Sequence, residues 1–106
     1  MSVPTLDVFQ VIADPSRREI LNLLSNESMT INSLAGNFDM SRPAVSKHVK
    51  ILANTGFISI EDKGRERFCI LKKDGFDELK EWIAYFDQFW IDKLTKLGKL
   101  LDNHNK

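Results

Sequence analysis

Two amphipathic stretches follow one another with scarcely a turn between them, and this spacing constrains the fold more than any other feature of the chain. The first, Ile31–Phe38, places Ile31, Leu34, Ala35 and Phe38 at helical spacing on one face, behind Thr30 as a candidate N-cap. Asp39-Met40 come next, and Ser41 then caps a helix running to about Asn54. Pro43 is tolerated in that helix's first turn, and Gly56 suits the left-handed conformation that ends a helix. A short helix, a turn and a second helix opening on a small polar cap make a helix-turn-helix pattern.

The flanking segments extend this pattern. Leu6, Phe9, Val11 and Ile12 predict a short first helix, stopped at Asp14-Pro15 because the residue before a proline avoids the α region. Asp14 can cap a second helix with Pro15 at its first position, where the missing N–H costs nothing. Ile20, Leu21, Leu23 and Leu24 give that helix an apolar stripe, and Ser25–Ser28 reads as the loop after it. Phe57–Glu61 and Arg67–Leu71, joined around Asp62-Lys63-Gly64, read as a β-hairpin. A helix-turn-helix followed by a basic-tipped hairpin is a winged helix. From Gly75 the apolar residues Leu79, Ile83, Phe86, Trp90, Leu94, Leu97 and Leu101 recur in steps of three or four, predicting one long helix over 75–103. The expected class is mainly α with a small β-hairpin wing. Residues 1–106 would form one domain, with a winged core over 6–73 and the long C-terminal helix beyond it.

A chain of 106 residues has room for one modest core, and its mix of 42% hydrophobic and 28% charged residues argues against extensive disorder. Met1–Thr5 lacks the basic and apolar regions of a signal peptide, and no apolar run reaches the length of a membrane span. Both features point to the cytoplasm and away from the membrane. A single cysteine, Cys69, permits no internal disulfide, in keeping with a reducing compartment.

The formal net charge is zero, yet it is unevenly spread. Residues 41–73 carry eight Lys and Arg against three Asp and Glu, while acidic residues outnumber basic ones on both sides. A basic segment between acidic ones is a local footprint for phosphate, although a cluster of solvated side chains would look the same.

Val45, Val49 and Leu52 are spaced to face a core, which turns Arg42, Pro43, Ser46, Lys47 and Lys50 outward. A small, cationic helix face of this kind fits the major groove. Arg and Lys donate to guanine, Ser donates or accepts, and Pro43 or Ala44 meets a thymine methyl. Ser41 at the cap and His48, at the DNA edge or packed beside Leu52, complete the candidate face. On the hairpin, Lys63, Arg65 and Arg67 would cluster at the tip or on one face and reach phosphates or a minor groove.

The C-terminal segment holds six of the chain's ten aromatic residues, too many for a small winged helix to cover. Leu79, Trp82, Phe86, Phe89, Trp90, Leu94 and Leu97 are therefore expected to pair two copies of the chain. Burial within one subunit, against Phe57, Phe68 and the first helix, is the alternative.

No metal, cofactor or catalytic site is expected. His48 and His104 are far apart, Cys-x-x-Cys is missing, and Asp87, Asp92 and Asp102 lack histidines at ligand spacing. Neither a glycine-rich phosphate loop nor a paired nucleophile and base can be read.

Three segments, Phe9–Leu21, Met40–Leu52 and Gly56–Ile58, resemble the ArsR family of winged-helix repressors in order and spacing, and the likeness spans about residues 6–73. Tyr85–Trp90 and the Leu-rich tail resemble a branch whose gene often neighbours one for an SRPBCC-type protein. The resemblance implies a homodimeric repressor on a pseudo-palindromic operator. It also implies base-facing positions for Arg42, Pro43, Ser46 and Lys47, and wing positions for Arg65 and Arg67. The thiolate pair of arsenic and cadmium sensors and the Asp/His set of zinc sensors are absent, so the resemblance names no small-molecule effector. The rival expectations are a winged helix that docks an acidic protein and an RNA-binding module, the latter without the exposed aromatic platform that single strands need.

Overall fold

A computed structural model describes residues 6–104, with side chains as far as Asp102. The expectations for Met1–Thr5 and for the side chain of His104 lie outside it. The described elements are α1 (Val8–Ile12), α2 (Pro15–Leu24), β1 (Met29–Thr30), α3 (Ile31–Ala35), α4 (Arg42–Asn54), β2 (Ile58–Lys63), β3 (Glu66–Leu71) and α5 (Lys73–His104).

Short polar side chains start the first four helices. Asp7 and Gln10 form a reciprocal capping box on α1, which the sequence reading had not anticipated. Asp14 accepts from the backbone N–H of Ser16 at 2.8 Å and of Arg17 at 3.1 Å. Thr30 accepts from Ser33 at 3.1 Å and Ser41 from Ala44 at 3.3 Å, as their places ahead of apolar stripes suggest. The helix expected to reach Phe38 ends at Ala35. Beyond it the N–H groups of Asn37 and Phe38 bond three residues back, to Leu34 and Ala35, which tightens the last turn. Phe38 still packs against the core from outside the helix.

The sheet has three antiparallel strands in the order β1-β3-β2. β1, which falls just after the expected loop, pairs Met29 with Cys69 and Thr30 with Phe68. In the hairpin Lys63 opposes Glu66, so the loop is Gly64-Arg65 rather than Asp62–Gly64. Gly64 has φ 65°, and among the described residues only glycines have positive φ, which matches a two-residue turn with glycine in its first central position.

Val11, Ile20, Leu34, Val45, Val49, Leu52, Phe57, Ile58 and Cys69 are fully buried at the centre. Arg17 is buried among them. Its Nε donates to the Val11 carbonyl at 2.7 Å and its Nη2 to that of Gln10 at 3.2 Å, which satisfies the last carbonyls of α1. Gly75 lets α5 lie directly on Phe57, since a Cβ there would come within 2.8 Å of the ring. The rest of α5, 32 residues and roughly 48 Å in all, leaves the core as a rod and stretches the molecule to 72 Å.

Candidate nucleic-acid interface

α4 presents the face that its apolar spacing implied. Val45, Val49 and Leu52 are buried, Arg42, Pro43, Lys47 and Lys50 are exposed, and Ser46 is half-buried. His48 lies off this exposed face. It is half-buried and turned towards α2, with Nδ1 3.4 Å from Nη1 of Arg17. A guanidinium only donates, so a hydrogen bond across this distance needs Nδ1 as its acceptor. Asp14 closes the cluster with an oxygen 3.9 Å from the same Nη1. Burial pushes the Asp14 carboxyl up, but the N–H groups of Arg17 and Ser16 and the charge of Arg17 outweigh it and hold the group below its usual value.

The wing cations do not share one face. Cross-strand pairing puts Arg67 with Asp62 on the side that carries Ile58 and Cys69. Lys63 lies on the opposite side, its Nζ 5.6 Å from the centre of the Phe68 ring. Arg65 forms the tip. Arg67 Nε meets Asp62 at 3.1 Å, an exposed pair that contributes little to stability.

Arg65 and Arg67 line one cleft with Arg42. A cleft of about 410 Å³ opens between the start of α3, the start of α4 and the hairpin, lined by Asn32, Arg42, Arg65, Glu66 and Arg67 among others. Arg42 Nε donates to Oδ1 of Asn32. Asn32 escaped the sequence reading. The only signal was a polar residue on the outward side of the first helix of the pair.

A second surface lies on α5. Phe76 packs edge-on against Phe57, and Trp82 against Phe9 of α1, with ring centres 5.0 and 5.2 Å apart. Beyond this point the apolar stripe is uncovered: Trp90 is 60% exposed, Leu94 65% and Leu97 51%. Leu79, expected in the same stripe between subunits, is half-buried and packs against the chain's own core at the root of the helix. Trp82, Phe86 and Phe89 form an aromatic ledge between the two regions, 54%, 41% and 43% exposed.

Among the described residues no three potential ligands converge on a metal site. Cys69 is buried in β3, and burial pushes its thiol pKa up, away from the reactive thiolate. No described helix is long and apolar enough to cross a membrane.

Comparison with known proteins identifies the class. Residues 14–59, from the α2 cap through α4 into the hairpin, match the family described as bacterial regulatory protein, arsR family. The chain is 35% identical to the transcriptional repressor SdpR of Bacillus subtilis (strain 168), over 76% of its own length and 89% of that protein. It is 32% identical to the HTH-type transcriptional regulator Rv2034 of Mycobacterium tuberculosis, over 90% and 86% of the two lengths. The crystal structure of the ArsR family transcriptional regulator RHA00566 superposes with a TM-score of 0.72 at 37% identity, covering 78% of this chain and 91% of that one. The chain belongs to the ArsR family of winged helix-turn-helix transcriptional regulators, a family of regulators and not of enzymes. The comparisons favour this class over a protein-docking module.

Proposed function

We propose that the chain is a cytoplasmic repressor that binds a pseudo-palindromic operator in double-stranded DNA as a homodimer. The observation that carries this reading is the convergence of Arg42, Arg65 and Arg67 on one cleft beside the exposed N-terminal face of α4. Cations from the helix and from the wing are thereby gathered on one side of the molecule, where a duplex could meet both. α4 enters the major groove with Ser41, Arg42, Pro43, Ser46, Lys47 and Lys50 towards the DNA. The wing brings Arg65 and Arg67 to the backbone from the cleft side, and Lys63 from the other face of the hairpin. His48 contributes through the orientation of α4. Net charge is no obstacle, because phosphate neutralisation is local.

Dimerisation follows from α5. Trp82, Phe86, Phe89, Trp90, Leu94 and Leu97 would remain wet in a monomer, and burying each against a second copy contributes roughly 1.5–3 kcal/mol. Leu79 supports that interface from inside the protomer. The test is a mobility-shift titration of the full-length protein on the duplex upstream of its own gene, against a random duplex of equal length. Preferential retention of the upstream duplex is expected; equal or no binding contradicts the reading.

A further inference from the structure

We infer that Asn32 holds Arg42 as part of a seat for one backbone phosphate of the duplex, so that Arg42 grips the backbone while Pro43, Ser46 and Lys47 face the bases. This rests on the DNA-binding reading above and changes the division expected from the sequence, in which Arg42 reads bases alongside Lys47.

Position and bonding carry the inference. Arg42 is the first residue of α4, and its Nε is committed to Asn32 on α3, which draws the side chain towards the cleft instead of leaving it free to extend along the groove. Both Nη groups keep N–H bonds to donate. Arg65 and Arg67 line the same cleft from the hairpin, with Glu66 as the one carboxylate among its lining residues. Three guanidiniums against Glu66 and the Asp62 carboxylate paired with Arg67 still leave an excess of positive charge in a concave site. A phosphate with several acceptor oxygens satisfies such a set, whereas the edge of one base pair presents too few. Among the described residues the Arg67 side chain pairs with Asp62, an exposed and weak contact that a phosphate oxygen can replace. The seat lies between both elements that approach the duplex, so one phosphate would fix the register of α4 relative to the wing.

The experiment measures binding of the full-length protein to the upstream duplex and the random duplex over a salt series, for the native chain, Arg42→Ala, Arg42→Lys and Asn32→Ala. For Arg42→Ala the account expects both affinities to fall by a common factor. The slope of log affinity against log salt should drop by about 0.9 per phosphate lost, roughly twice that for a dimer. Arg42→Lys keeps the charge and should restore most of the slope. Asn32→Ala removes no charge yet should lower the slope in the same direction, by less, with the thermal midpoint unchanged. Loss of preference between the duplexes in Arg42→Ala, or a native slope in either alanine variant, overturns the assignment. If the native protein binds neither duplex, the DNA-binding reading itself fails.

Discussion

Arg17 on α2 and His48 on α4 face one another across 3.4 Å, while the same guanidinium is bonded at 2.7 Å to the carbonyl of Val11 at the end of α1. One buried cation thus ties three helices, including α4, which carries the proposed DNA face. Replacing it leaves the buried Val11 carbonyl and the part-buried Gln10 carbonyl without their donors. Arg17→Met, which keeps most of the volume, should lower stability by about 2–4 kcal/mol, read from urea denaturation at neutral pH. Arg17→Lys should recover only part of this, since one ammonium cannot reproduce the planar fork. A loss under about 0.5 kcal/mol, the range of an ordinary surface change, would contradict the role.

Acid sensitivity follows from Asp14. Its carboxyl lies below its ordinary value when folded, so it binds its proton more weakly in the folded chain than in the unfolded one. That contribution is complete above the unfolded carboxylate range and is lost as pH falls through the folded value. Asp14→Ala should cost about 0.5–2 kcal/mol at pH 7, and the gap to the native protein should narrow as pH falls below the carboxylate range. Asp14→Ser keeps a capping oxygen and should lie between the two. A gap that stays constant with pH would show that the charge plays no part.

Gly75 sits inside a helix, where alanine is normally favoured by about 1 kcal/mol. Here its added methyl would meet Phe57 Cγ at 2.8 Å and Cδ1 at 2.9 Å, and that ring is fully buried. Overpacking costs about 1–3 kcal/mol and should outweigh the helix gain. Gly75→Ala is therefore expected to lower the thermal midpoint; a rise would mean that the ring has room to move.

The apolar stripe of α5 predicts the assembly state. Trp90→Glu and Leu94→Glu should each turn a dimer into a monomer in sedimentation at micromolar concentration, with far-ultraviolet circular dichroism per residue little changed. Truncation after Leu79 should do the same. A native chain that sediments as a monomer at that concentration would exclude the paired arrangement.

The features legible in the sequence were those set by near neighbours. Asp14, Thr30 and Ser41 cap their helices through bonds to N–H groups two or three residues on, and the steps from Leu79 to Leu101 identify a long helix without knowledge of its partner. Contacts between distant residues were hidden. β1 is two residues long and exists because Met29 pairs with Cys69, so no alternating pattern announces it. The hairpin turn lies later than its composition implied, and because strand side chains alternate, its register decides that Lys63 and Arg67 lie on opposite faces. Nothing in the sequence links Arg17 to His48, or Asn32 to Arg42, since each pair meets only after α4 has packed on its neighbours. Leu79 fits the same periodicity as Leu94, and only the placement of α5 on Phe57 separates the buried root from the bare rod.

The central claim is that two copies of α4 address one duplex from a symmetric dimer. Hydroxyl-radical footprinting of the full-length protein on the duplex upstream of its gene measures this directly. The account predicts protection related by a dyad, with the two half-sites about one helical turn, or a whole number of turns, apart. A single asymmetric patch, or protection that does not depend on the sequence, would contradict it.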